Sequence, residues 1–228
     1  MISNIGITKR AHISRRKFDT IFDCFVADIT SLQTSKIAHV NRNTSDRYFN
    51  LIREVIYVSA LQERRQAKLG NGIEVDESYF GPTRVRGRRG RGAGGKILVM
   101  GLLKRNGNVY SQIIKNASEK ELLPIIRSTI RSGSDIYTDG WKGYNALAIY
   151  GYNHKKVLHS KDEFVNQSGD HINGIESYWS WTKRRLSKFN GIKKSELGKY
   201  LLESEWRFNH RSNLRKDLKE MLRKFKVN

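Results

Sequence analysis

The spacing of the apolar residues changes after Gly70-Asn71-Gly72, and this change constrains the fold more than any other feature of the sequence. Over residues 16–32 and 48–56 apolar side chains recur every three or four positions, as in amphipathic helices. Over residues 73–80 apolar and polar side chains alternate instead, which is the period of a strand. The sequence therefore predicts a helical N-terminal region, 1–70, and a second region, 71–228, that begins with a strand.

The second region has the element order of an α/β fold. Asn106-Gly107 is a hairpin turn signal, and Ser118 with Glu121 forms a capping box at the start of a helix. Three antiparallel strands, then helices alternating with two further strands, predict a mixed five-stranded sheet flanked by helices. The later strands are predicted at 96–103, 109–114, 136–139 and 155–159, and the helices at 118–130, 142–149, 173–189 and 195–210.

The N-terminal region resembles a small all-α helix-turn-helix module. Helices are predicted over 16–32 and 34–40, and a third follows the turn Asn41-Arg42-Asn43, with Thr44 or Ser45 as its cap. In such a module the last helix faces a DNA groove. The alternative is a helical cap that packs on the next domain. The predicted DNA-facing residues are Arg42, Asn43, Ser45, Asp46 and Arg47.

The charge of the chain indicates a polyanionic partner. Its 43 lysines and arginines against 22 acids give a net charge of +21. Residues 97–182 are nearly neutral, whereas residues 84–96 hold six cations and no acid, and the segment from Lys183 onward is strongly basic. Basic flanks around a neutral centre favour DNA laid across a folded domain, with a merely solvated basic surface as the alternative. No membrane span or signal peptide is evident, so we expect a cytoplasmic, nucleoid-associated protein.

Three acids occupy positions where α/β folds tend to place catalysis. Asp76 lies in the first predicted strand, Asp139 ends another strand, and Glu176 lies in the first turns of a long helix. Carboxylates bind Mg²⁺, and two such ions can drive an in-line displacement at phosphorus. Lys183 follows Glu176 by two helical turns and so shares its face. Taken singly, each acid can equally be a solvated or salt-bridged side chain.

Three motifs in order resemble the DDE transposases of bacterial insertion sequences, in particular the short ISXO-type group that lacks a zinc ribbon. The motifs are Val75-Asp76-Glu77-Ser78-Tyr79-Phe80-Gly81, then Thr138-Asp139-Gly140-Trp141 with Tyr144, then His171-x-Asn173-x-Ile175-Glu176-x-x-Trp179 running into Lys183-Arg184-Arg185. The resemblance implies an RNase H-like fold and two Mg²⁺ or Mn²⁺ ions. It also implies cleavage and strand transfer of the element's DNA ends. By position, it assigns the metal and catalytic roles to Asp76, Asp139 and Glu176, with Lys183 as the basic residue after the last acid.

Further residues are candidates for supporting roles. Some transposases of this kind carry asparagine in place of the third acid, which makes Asn173 a rival to Glu176. His159 and His171 can orient ligands or contact phosphate, although such histidines are also common on surfaces. The run 207–211 is expected to contact the DNA backbone or to pack on the sheet. The predicted DNA contacts besides the helix-turn-helix residues are Arg84, Arg86, Arg88, Arg89, Arg91, Asn173, Lys183, Arg184 and Arg185.

The sequence thus predicts a DNA transposase that acts on double-stranded DNA, namely the inverted repeats and the target, as a homo-oligomer, expected to be a dimer. A structure-selective RNase H-like nuclease would cut branched DNA without joining strands. A catalytically silent DNA-binding regulator would bind without any metal-dependent product.

Overall fold

The computed structural model describes residues 13–66, 68–81, 95–157 and 171–225, which divide into two compact units. The first unit comprises Met1–Gln62 together with Leu202–Asn228, and the second comprises Glu63–Leu201. Within the described residues, no helix combines the length and the apolar character needed to span a bilayer.

The first unit is helical. Its core is made of the apolar faces that the helical periodicity predicts, joined by side chains from the C-terminal part of the chain. Its elements are α1 (Arg15–Val26), α2 (Ser31–Ile37), most of α3 (Arg42–Gln66), the end of α6 (Leu197–Asn209) and α7 (Leu214–Lys224). The largest fully buried side chains of this core are Phe18, Ile21, Phe22, Phe25, Phe49, Ile52, Ile56 and Trp206.

Local capping sets the helix boundaries of this unit. The first helix ends at Val26 and not near residue 32, because Asp28 adopts a left-handed conformation with φ of 59°. The third helix starts at Arg42, so two residues of the predicted turn lie inside it. Asn41 Oδ1 accepts the Asn43 N–H at 2.8 Å and is the cap, in place of the predicted Thr44 or Ser45.

The C-terminal helices pack in the first unit, whereas the predicted boundary at residue 70 assigned them to the catalytic region. Leu218 and Leu222 of α7 are fully buried in this core. Arg207, part of the run expected to contact DNA or pack on the sheet, is also buried. Its guanidinium lies 2.8 Å from Glu203, whose other oxygen is 2.8 Å from Arg53. A buried arginine–glutamate–arginine cluster therefore takes the place of a DNA contact at Arg207.

The second unit confirms the mixed five-stranded sheet flanked by helices. The strands lie in the order β3-β2-β1-β4-β5; the first three are antiparallel, and β4 and β5 run parallel to β1. This is the RNase H-like arrangement that the resemblance implies. Its elements are β1 (Ile73–Phe80), β2 (Ile97–Lys104), β3 (Val109–Ile114), α4 (Glu119–Thr129), β4 (Asp135–Thr138), a 3₁₀ helix (Lys142–Leu147), β5 (Asn153–Lys156) and α5 (Asn173–Ser187).

The two faces of β1 serve different purposes because successive side chains point in opposite directions. Ile73 and Val75 belong to the core that includes α4 and the 3₁₀ helix. Glu74 and Asp76, on the other face, contact α5. The predicted capping box is only partly formed, since Ser118 precedes α4 without a side-chain cap bond. Strand β1 thus carries both the core and the acidic face of the candidate site.

Candidate active site

Asp76 is held on β1 by the helix that covers it. One carboxylate oxygen, Oδ2, accepts the indole N–H of Trp179 at 3.1 Å. The Trp179 ring lies over Gly101, which pairs with Asp76 on β2. A Cβ at Gly101 would sit 2.5 Å from the ring, so only glycine leaves room for the indole at this position. The ring is 4% exposed, which makes it a packing group and not a platform for a base.

Asp139 lies beside Asp76 because β4 runs parallel to β1. Glu74 pairs with Tyr137, and two further residues along both strands bring Asp139 level with Asp76. The chain turns sharply here: Gly140 has φ of 81°, and Asp139 Oδ1 accepts the Trp141 N–H at 3.0 Å. An acid in this turn projects from the end of a strand.

Glu176 is positioned by α5, which runs alongside β1. Ile175 N–H donates to Glu74 at 2.9 Å, and Trp179, one turn later, donates to Asp76. Four helical residues rise about 6 Å, and two strand residues rise about 6.6 Å, so the two elements stay in step over this distance. Glu176, in the first turn of α5, is exposed at the level of this contact.

The three carboxylates share one electrostatic environment. Burial raises the pKa of Asp76 to about 6, and the negative charges of Asp139 and Glu176 raise it further, against hydrogen bonds that lower it. This coupling brings together the three acids that the sequence placed in separate motifs.

Glu77 is a further buried acid that the sequence interpretation did not single out, although it adjoins Asp76. Burial raises its pKa to about 7, with the Tyr144 hydroxyl, which donates to it, lowering the pKa and Asp76 and Asp139 raising it. Tyr144 is buried, and its own pKa is raised well above the usual value by burial and by Glu77. The pair links β1 to the 3₁₀ helix that follows Asp139.

Lys183 lies near the acids from the α5 side. Its ammonium is 5.7 Å from the centre of the Phe80 ring. Burial lowers its pKa, Asp76 raises it, and Lys96 lowers it. The side chain therefore places a cation between the acids and a neighbouring lysine, as the two-turn spacing from Glu176 predicts.

Glu74 is the least expected residue of the site, because it is a carboxylate 1% exposed in the middle of a sheet. It accepts the Ile175 N–H at the start of α5 and pairs with Arg105, whose Nε lies 3.2 Å away. Arg105 also donates to the His171 carbonyl at 2.6 Å and stacks 3.6 Å from the Tyr137 ring centre. Glu74 thus joins β1 to the segment that leads into Glu176.

The remaining predicted residues fall into three groups. Arg184 is exposed on α5, but Arg185 is 6% exposed on its inner face, which does not suit a DNA contact. Asn173 is the first residue of α5, and His171 Nδ1 lies 3.4 Å from Glu74 without hydrogen-bond geometry. Exposed residues at the start of α3 are Arg42, Asn43 and Arg47. Outside the described residues lie Arg84, Arg86, Arg88, Arg89, Arg91 and His159.

The donor set of the site suits a hard divalent cation. Asp76, Asp139 and Glu176 offer only carboxylate oxygens, which Mg²⁺ and Mn²⁺ prefer. Across the part of the chain that the structure describes, no three acidic, histidine or cysteine side chains form a ready-made cage. Mg²⁺ typically takes one or two carboxylates and completes its shell with water and phosphate, so an open carboxylate set fits it.

The raised pKa of Asp76 leads to a pH-dependent stability without metal. A carboxyl whose pKa is higher in the folded than in the unfolded chain stabilises the fold at low pH, and this contribution is lost as pH rises from about 4 through about 6. We therefore expect Asp76→Asn, which does not titrate, to gain stability over the wild type by on the order of 2 kcal/mol between pH 4 and 7.5. Urea unfolding in EDTA measures this, and a difference that stays constant with pH would contradict it.

Residues 68–209 match the model of a family described as the ISXO2-like transposase domain. A transposase-like protein of Haemophilus influenzae is 40% identical over 102 residues, which is 45% of this chain and 81% of the relative. A protein in transposable element ISH50 of Halobacterium salinarum is 27% identical over 230 residues, covering 90% of this chain and 76% of the relative. Among solved structures, the Mos1 transposase paired-end complex with the left transposon end is 9% identical with a TM-score of 0.29, covering 96% of this chain and 82% of that one.

Proposed function

The chain belongs to the ISXO2-like transposase family, and we propose that it cleaves the ends of its insertion sequence and joins the freed 3′ ends to target DNA. The observation that carries the proposal is the electrostatic coupling of Asp76 with Asp139 and Glu176 in one site. Such coupled, partly buried acids are characteristic of functional sites. The proposed partners are the inverted repeats and the target, both double-stranded DNA.

The carboxylates of Asp76, Asp139 and Glu176 are the proposed ligands for two divalent ions, Mg²⁺ or Mn²⁺. When bound, these ions activate the attacking oxygen and stabilise the leaving one. The protein's part is to hold the ligands in place. Trp179 orients Asp76 through its N–H, and the turn after β4 orients Asp139. We assign the third position to Glu176 in preference to Asn173, because a carboxylate binds a divalent ion better than an amide does.

The proposed reaction has two steps at phosphorus. Water attacks the phosphodiester at the element's end, breaks the P–O3′ bond and leaves a free 3′-hydroxyl. That hydroxyl then attacks a target phosphodiester, forms a new P–O3′ bond and displaces the target's own 3′-oxygen. Lys183, beside Asp76, supplies a cation to the phosphate in both steps.

The helical unit is proposed to hold the element's ends. Arg42 and Arg47 are exposed near the start of α3, as expected of the last helix of a helix-turn-helix module. Arg42 lies 3.6 Å from Asp46 in an exposed ion pair, which contributes little and leaves the guanidinium available to phosphate. Two ends processed together call for at least two chains, so we propose a dimer that associates with the nucleoid.

The proposal is tested by incubating the protein with duplex DNA of the element's inverted repeat, a target plasmid and Mg²⁺ or Mn²⁺, resolved on a denaturing gel. A transposase gives nicked ends and longer strands in which the end is joined to the target. Cutting of branched DNA without joined strands would indicate the nuclease instead. Binding without any product would indicate the silent regulator.

A further inference from the structure

A groove of about 820 Å³ opens next to the carboxylates, between the end of β1, the start of β2 and the end of α5. One side is apolar and includes Phe80, Leu186 and Ile192, with the partly exposed ring of Tyr79 at its edge. Lysine ammoniums come from three separate segments of the second unit. These lysines are Lys96, Lys183 and Lys194, and the described lining residues include no carboxylate.

The groove is continuous with the proposed active site. Phe80 follows Asp76 by four residues on β1, a distance of about 13 Å along a strand. Lys183 lies over Phe80 in the groove while its pKa responds to the charge of Asp76. A DNA strand that passes the carboxylates would therefore continue directly into the groove.

The far wall of the groove is formed by a tight turn. After α5 ends, Asn190 and Gly191 both adopt positive φ, 51° and 115°, which reverses the chain. The reversal brings Lys194 back to the groove opposite Lys96. Cations on two sides of an apolar surface match a sugar-phosphate backbone that carries unstacked bases.

We propose that this groove binds single-stranded DNA next to the scissile phosphate, with phosphates on the lysines and bases against the apolar wall. The inference rests on the proposed function and adds the state of the DNA: the strand is unpaired where it leaves the carboxylates. Its volume is that of a small-ligand pocket, which suits a short unstacked strand and excludes a duplex.

The test is fluorescence anisotropy of a labelled ten-nucleotide oligothymidylate and of a labelled duplex of unrelated sequence, both in EDTA so that no cleavage is required. Lys194→Glu is expected to weaken oligothymidylate binding at least tenfold and to reduce its salt dependence by about 0.7 log units per lost phosphate contact. Duplex affinity is expected to change less than threefold. The matched control is Lys120→Glu, an exposed lysine of α4 away from the groove, which should change neither affinity by more than threefold.

A second measurement locates the bound strand. Oligothymidylate that carries 4-thiothymidine is irradiated with the wild-type protein, and the cross-linked peptide is mapped by mass spectrometry. A cross-link to Tyr79 or its neighbours in the groove supports the proposal. Equal losses of single-strand and duplex binding in Lys194→Glu, or equal effects of Lys120→Glu, would overturn it. Cleavage and joining by a protein without single-strand affinity would remove the groove proposal alone, whereas single-strand binding without any cleavage would remove the proposed function alone.

Discussion

Asparagine at position 76 or 139 is expected to reduce cleavage of element-end DNA roughly a thousandfold or more, equivalent to about 4 kcal/mol of barrier. Each substitution removes a charged oxygen ligand while keeping nearly the same shape, so the loss falls on metal binding and not on packing. Trp179 N–H can still donate to the amide oxygen of Asp76→Asn. Single-turnover cleavage followed on a denaturing gel measures the effect, and anisotropy with the same DNA should show unchanged binding.

The matched control is Asp135→Asn at the opposite end of β4. Asp135 makes only an exposed ion pair with Lys155 at 3.8 Å, so its loss should change cleavage less than twofold. Cleavage by Asp76→Asn or Asp139→Asn within tenfold of the wild type would remove these residues from the proposed site.

Alanine at position 74 is expected to destabilise the protein by about 3–5 kcal/mol, the largest effect on stability among the residues of the site. The substitution removes a buried carboxylate from Arg105 and from the Ile175 N–H, and it leaves a cavity between β1 and α5. Urea unfolding followed by tryptophan fluorescence measures the loss. The loss of the exposed pair, in Asp135→Ala, should cost below about 1 kcal/mol.

Glu74→Gln separates position from charge. The amide retains an acceptor for Ile175 but weakens the pairing with Arg105, so we expect an intermediate loss of stability. Because Ile175 adjoins Glu176, cleavage by Glu74→Gln should need more Mn²⁺ for half-maximal rate while the rate at saturating Mn²⁺ stays near that of the wild type. A lower rate at saturation with an unchanged Mn²⁺ requirement would show that Glu74 does not act through the metal ligands.

The sheet could be predicted from the sequence because local signals determine its strands. The alternation over residues 73–80 reflects a strand with two different faces, and Asn106-Gly107 forms the predicted turn, with Asn106 at φ of 56°. The position of Asp139 beside Asp76 followed from the chain order, since the strand that ends in Asp139 pairs directly with β1.

What the sequence did not reveal depends on contacts between distant segments. Glu74 bonds to a residue 101 positions away, and no local pattern marks a glutamate as the buried partner of a helix N-terminus. Leu218 and Leu222 have a helical spacing, but nothing local shows that they join the core built by α1 and α3. The end of α1 was overestimated because Ile29 and Leu32 happen to continue its apolar period beyond the left-handed Asp28.

The central claim is that the three carboxylates bring divalent ions to the reacting phosphate. It is tested most directly by placing sulfur at one nonbridging oxygen of the scissile phosphate and comparing cleavage in Mg²⁺ and Mn²⁺. Sulfur binds the harder Mg²⁺ poorly and Mn²⁺ better. One sulfur stereoisomer is therefore expected to slow cleavage at least tenfold in Mg²⁺, with most of the rate restored in Mn²⁺. Equal slowing in both metals, or cleavage that continues in EDTA, would contradict the claim.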